Sequence, residues 1–127
     1  MTLNCVIIDD EPLAAELLES YAQKVPFLRV EGVYNSATQA IKTIREKKID
    51  LIFLDIQMPE LSGLEFARII SKETKIMFTT AFNQYAIDGY NVNALDYLLK
   101  PISFDRFLQT ANKALEWFDI QDRQKTM

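Results

Sequence analysis

Leu51-Ile52-Phe53-Leu54-Asp55 is the stretch on which the fold turns. Four successive apolar residues show no in-and-out alternation, so a strand built from them has both faces covered. Such a strand belongs near the middle of a parallel sheet, and a carboxylate stops it. Three other apolar runs end in a similar way: Leu3 to Ile8 runs into Asp9, Asp10 and Glu11, Ile76 to Phe78 into Thr79 and Thr80, and Leu95 to Leu99 into Lys100. In a parallel sheet the C-terminal strand ends share one edge, where open α/β folds place their ligand sites. Two carboxylates, a hydroxyl and an ammonium (Asp10, Asp55, Thr80 and Lys100) are therefore expected to converge from four distant parts of the chain. That set suits Mg²⁺-assisted phosphoryl transfer.

Outward from these runs, helical patterns alternate with the strands. Pro12 suits a first helical turn, and a helix to about Lys24 carries Leu13, Leu17, Leu18 and Tyr21 as its apolar face. Leu28 to Val33 alternates apolar and charged residues, as an edge strand with one wet face does. Ser36 with Gln39, and Ser62 with Glu65, are spaced as capping boxes. The first opens a helix burying Ala40, Ile41 and Ile44; the second opens one that runs through Ile70. A weak helix is expected over Asn83 to Tyr90. The last begins near Ser103, with Phe104, Phe107, Leu108, Ala111, Leu115 and Phe118 in one stripe and Trp117 off it, facing outward or toward a partner. The alternation predicts an α/β fold with a parallel sheet covered by helices on both faces. Residues 1–118 form the expected domain, and the polar 119–127 reads as the start of a linker or a C-terminal tail.

Composition narrows the chemistry. A chain of 127 residues is one domain with a core of its own. Fourteen basic against eighteen acidic residues leave a net charge of −4, which argues against direct binding of DNA or an anionic membrane surface. There is no histidine, so Ser-His-Asp and Cys-His catalysis and histidine-bound zinc are excluded. The single cysteine, Cys5, lies inside an apolar run and reads as a core residue in a reducing compartment. No run approaches the length of a membrane span and no secretory leader opens the chain, so the cytoplasm is the expected location. Any metal must be held by oxygen.

Asp9, Asp10 and Glu11, taken alone, are an ordinary acidic helix start, and Asp55 an ordinary turn residue. Together at neighbouring strand ends they crowd negative charge, which costs stability unless a cation intervenes. Mg²⁺ is the natural one, taking carboxylates, waters and phosphate oxygens as ligands. Lys100 offers a partner for Asp55 and then for a phosphoryl oxygen. Thr80 stands at a strand end where its hydroxyl can serve the site, while Thr79 reads as a structural strand residue.

These pieces resemble the receiver domain of bacterial two-component response regulators over about residues 3–118. They are Val6-Ile7-Ile8-Asp9-Asp10-Glu11-Pro12, Leu54-Asp55-Ile56-Gln57-Met58-Pro59 with Gly63, Phe78-Thr79-Thr80-Ala81, and Tyr97-Leu98-Leu99-Lys100-Pro101. The resemblance implies a flavodoxin-like (βα)5 fold with strand order 2-1-3-4-5. It implies a phosphorylation-dependent switch rather than a metabolic enzyme, with Asp55 accepting the phosphoryl group from a sensor histidine kinase. Asp9, Asp10, Asp55 and the Gln57 backbone carbonyl would serve Mg²⁺, Thr80 and Tyr97 would switch conformation, and Lys100 would contact the phosphoryl group. Ala81-Phe82-Asn83-Gln84-Tyr85-Ala86 and the stretch from Asn93 to Ile102 narrow the likeness to receivers of LytTR-type (LytR/AlgR) transcription regulators. In those a DNA-binding domain follows the receiver, and a homodimer on phosphorylation is the expected response. None follows here, so either the chain stops at the linker or it is a stand-alone receiver acting in a phosphorelay or by protein contact. A haloacid-dehalogenase-like phosphatase lacks its D-x-D-x-T motif here, and a flavin binder would meet repulsion from Asp9-Asp10-Glu11.

Overall fold

A computed structural model of the chain describes residues 1–82 and 94–126. Five strands, β1 (Leu3–Ile8), β2 (Leu28–Tyr34), β3 (Leu51–Asp55), β4 (Lys75–Thr80) and β5 (Ala94–Leu99), form one parallel sheet in the order β2-β1-β3-β4-β5. The helices described are α1 (Pro12–Gln23), α2 (Ala37–Glu46), α3 (Gly63–Arg68) and α4 (Phe104–Thr126). The expected helix over residues 83–90 lies outside the described residues. β3 is central and buried along its whole length, as its unbroken apolar run requires.

Alternation along the strands builds two cores. Cys5, Ile7, Leu51, Phe53, Met77 and Leu98 point to one face, where α1 contributes Ala15, Leu18 and Ala22, and α4 contributes Phe107, Ala111 and Ala114. Val6, Ile8, Ile52, Leu54, Ile76 and Phe78 point to the other, against Ala37 and Ala40 of α2 and Phe66 and Ala67 of α3. The flavodoxin-like arrangement is thus present, with helices on both faces.

Three local expectations need correction. The buried face of α1 is Ala15, Leu18 and Ala22, whereas Leu13 is 80% and Leu17 41% exposed. The alanines, lying on the sheet side, let the helix backbone sit close to the strands, which turns the larger leucines outward. α3 ends at Arg68 rather than Ile70, and Ile69 is its exposed C-cap. Trp117 does not face outward: it is half-buried, with Lys75 Nζ 4.6 Å from its ring centroid and Phe118 edge-on at 4.9 Å. The contact with Lys75 stacks the far half of α4 against the start of β4. α4 itself runs without a break to Thr126, well past Phe118.

Candidate functional site

Asp9 and Asp10 follow β1, Asp55 ends β3, Thr80 ends β4 and Lys100 follows β5, all on one edge of the sheet. Asp9 is fully buried and Asp55 nearly so, while Asp10 is half-buried. One carboxylate oxygen from each of the three lies within 4.8 Å of the other two. Lys100 Nζ lies 2.9 Å from Asp9 Oδ2, 3.6 Å from Asp55 Oδ2 and 3.7 Å from Glu11 Oε1. The sequence expectation pairs Lys100 with Asp55, but Asp9 is nearer, so the ammonium bridges the two carboxylates.

Backbone groups hold these side chains in place. The Glu11 N–H donates to Asp9 Oδ1 at 2.9 Å, and Asn35 Nδ2 donates to the Asp9 carbonyl at 3.0 Å. The Gln57 N–H donates to Asp55 Oδ1 at 3.1 Å. Gly63 begins α3 directly against this loop: its N–H donates to the Ile56 carbonyl at 2.8 Å, and a Cβ there would meet the Asp55 carbonyl oxygen at 2.4 Å. Ser62 and Glu65 form the full capping box that fixes the helix start. On the opposite side, the Lys100 N–H donates to the Thr80 carbonyl at 2.7 Å, and the Tyr21 hydroxyl donates to the Ile102 carbonyl at 2.9 Å. The chain after β5 is thereby tied to both β4 and α1.

The electrostatics follow from this crowding. Burial, a hydrogen bond with Asp10 and the charge of Asp9 push the Asp55 carboxyl up to about 7, against the opposing pull of Lys100 and the Gln57 N–H. Burial works against the Lys100 ammonium, but its hydrogen bond to Asp9 and the charges of Asp55, Asp9 and Glu11 outweigh it and hold its pKa above the usual lysine value. Three carboxylates with one ammonium leave surplus negative charge on hard oxygen donors, in a chain with no histidine. That donor set fits a divalent cation such as Mg²⁺. Asp10 and Gln57 line a common open cavity of about 490 Å³ beside it.

The two residues expected to switch are placed differently from each other. Thr80 is buried, and its Oγ1 accepts the Phe82 N–H at 3.1 Å. Tyr97 is half-buried, with its ring stacked on Phe78 at 5.1 Å between centroids. Phe82 is 44% exposed. Sequence reasoning missed three features. Glu11 reaches Lys100, and Asn35 steadies Asp9, neither with any signal beyond its position. Asp96 is gripped by both terminal nitrogens of Arg106 at 2.9 Å, with Lys113 at 3.4 Å, and Arg106 also donates to the Tyr97 carbonyl at 3.1 Å. Burial opposes the Asp96 charge, but Arg106, the Tyr97 N–H and Thr110 hold its carboxyl below the usual range.

Known proteins share this fold. Residues 5–112 match the family described as response regulator receiver domain. The transcriptional regulatory protein BtsR of Escherichia coli K12 is 40% identical over 122 residues, covering 94% of this chain and 51% of that protein. An uncharacterized response regulatory protein of Shewanella oneidensis is 39% identical over 113 residues, covering 87% of this chain and 48% of that protein. The chain thus spans about half the length of these relatives. The response regulator TrrA of Thermotoga maritima, solved in complex with Mg²⁺-BeF, superposes with a TM-score of 0.78 at 31% identity, over 89% of this chain and 99% of that one. A family match along most of the chain, on a sheet whose edge gathers three carboxylates and a lysine, leaves one conclusion: this chain belongs to the response regulator receiver domain family.

Proposed function

We propose that the chain is a phosphorylation-controlled switch, with Asp55 as its phosphoryl acceptor. The observation that carries the reading is the gathering of Asp9, Asp10 and Asp55 within 4.8 Å, bridged by Lys100 at 2.9 and 3.6 Å. A phosphohistidine of a sensor kinase is the donor. An Asp55 Oδ forms the new bond to phosphorus while the phosphorus–nitrogen bond breaks and its electron pair leaves with the imidazole. Mg²⁺, when bound by Asp9, Asp10, Asp55 and the Gln57 carbonyl, supplies charge neutralisation on the transferring group. Lys100 stands ready to exchange an Asp9 contact for a phosphoryl oxygen. The Gln57 N–H and the Gly63 helix start keep Asp55 fixed during transfer. Apart from its own phosphorylation and dephosphorylation the domain catalyses nothing.

The conformational response runs through Thr80 and Tyr97. Thr80 gives up the Phe82 N–H to reach a phosphoryl oxygen, and Tyr97 turns inward along Phe78 into the space released. The output is transcription control through a LytTR-type DNA-binding domain outside this chain, in the cytoplasm. The sequence likeness to such receivers and the description of BtsR as a transcriptional regulatory protein support it. Among the described residues no helix is long and apolar enough to cross a membrane.

Incubation with acetyl phosphate and Mg²⁺ tests the reading. Intact-mass spectrometry should show one added phosphoryl group on the parent and none on Asp55→Asn. An unchanged mass gain in the variant overturns the assignment.

A further inference from the structure

Thr79, the penultimate residue of β4, has a hydroxyl that the site as described so far does not use. It is fully buried, and its Oγ1 makes no hydrogen bond among the described residues. The ladder sets Thr79 opposite Asp55 on one side and Leu98 on the other. Alternation carries Phe53 and Asp55, Met77 and Thr79 onto the same face of the sheet, the one on which Leu98 also packs. Thr79 and Asp55 therefore stand side by side on strands about 4.8 Å apart.

A buried hydroxyl without a partner is costly, and valine would fill the same β-branched volume at no such cost. The resting arrangement gives no reason for oxygen at this position. Asp55, in contrast, is the side chain whose surroundings change in the reaction. At rest its Oδ1 takes the Gln57 N–H, its Oδ2 faces Lys100, and the carboxyl shares a hydrogen bond with Asp10. Once one oxygen is bonded to phosphorus and Lys100 is drawn to the phosphoryl group, the carboxyl group loses the Lys100 contact and keeps the Gln57 N–H and, when bound, Mg²⁺, with room for one further donor to its remaining oxygen. The only neighbour on its own sheet face with an unspent donor is Thr79, among the described residues.

We propose that Thr79 is a positioning residue for Asp55, its hydroxyl donating to the side-chain oxygen that stays free of phosphorus and so holding the acceptor in its reactive rotamer. This rests on Asp55 being the acceptor. The bond changes are those already given; Thr79 gains and loses no atom.

The test is Thr79→Val with Thr79→Ser as rescue, in the full chain with acetyl phosphate and Mg²⁺. Loss of one neutral hydrogen bond made only along the reaction should slow phosphorylation by about three- to tenfold. The beryllofluoride concentration for half-saturation should rise by a similar factor. Thr79→Ser should recover most of both. Resting thermal stability of Thr79→Val should equal or exceed the parent's, because no resting bond is removed. Parent-like rates in Thr79→Val, or failure of Thr79→Ser to recover them, overturn the proposal. So does a less stable or unfolded Thr79→Val, which would give the hydroxyl a resting partner. Asp55→Asn, run alongside, separates the two readings: if it still gains a phosphoryl group, the acceptor assignment fails, whatever Thr79 does.

Discussion

Asp55 is an acid placed where its charge is disfavoured, and this gives the protein a pH signature. Its carboxyl moves from an ordinary 3.8 to about 7 in the fold. A group with a raised folded pKa contributes stability that is fully present below the unfolded value and is lost as pH rises through the folded one. The metal-free protein should therefore lose stability between about pH 4 and 7, by at most about 4 kcal/mol at roughly 1.36 kcal/mol per unit. Asp55→Asn should remove that slope and be more stable than the parent at pH 8. Mg²⁺, which needs the ionised carboxylate, should restore parent stability at pH 8 and do little at pH 5. Thermal melts across pH with and without Mg²⁺ measure all of this; a parent as stable at pH 8 as at pH 5 without metal would contradict it. Cys5 shows the opposite case of burial without function: desolvation, with Glu31 nearby, pushes its thiol up to about 12, so it stays protonated and inert in the core.

At the scale of elements, the site depends on how closely α3 approaches β3. Gly63 is needed because any side chain there would enter the Asp55 and Ile56 backbone, with contacts of 2.4 and 2.9 Å from a Cβ. Gly63→Ala should cost about 1–3 kcal/mol, as overpacking does. It should also slow phosphorylation, because the loop carrying the Gln57 N–H must shift. Denaturant unfolding and the acetyl phosphate assay check the two effects, and a variant with parent values in both would remove Gly63 from the argument. The Asp96–Arg106 grip works at the other end of the sheet. It binds β5 to α4 one residue from Tyr97, whose carbonyl also takes an Arg106 N–H.

The whole molecule can pass a signal on only through its surface. β5 is an edge strand, and Leu99 on it, Phe82 beside it and Ile120 on the far part of α4 are exposed. Tyr85 and Tyr90 lie outside the described residues. Trp117 is half-buried against Lys75. On the proposed function, beryllofluoride with Mg²⁺ should shift the protein toward a dimer. Sedimentation velocity at high protein concentration reads this directly, and a monomer in both states would refute phosphorylation-driven self-association for this chain.

The sequence by itself determined the sheet and the residues along its edge. Leu51 to Leu54 read as a doubly covered strand, and the stops at Asp9-Asp10, Asp55, Thr80 and Lys100 lay on one edge for any parallel arrangement. These are properties of pattern, and pattern is local. Tertiary structure decided what depends on distance and on competition for space. Alanines rather than Leu13 and Leu17 face the sheet because α1 packs closely there, which no apolar count along the helix reveals. Lys100 sits nearer Asp9 than Asp55 because the links from β5 to β4 and from Ile102 to Tyr21 set where its stem begins. Thr79, a structural strand residue as read from the sequence, acquires an unspent hydroxyl beside Asp55 only through the register of β3 on β4. Strand patterns are written into neighbouring residues, but a few ångströms between side chains some twenty to ninety positions apart are settled only when the chain closes.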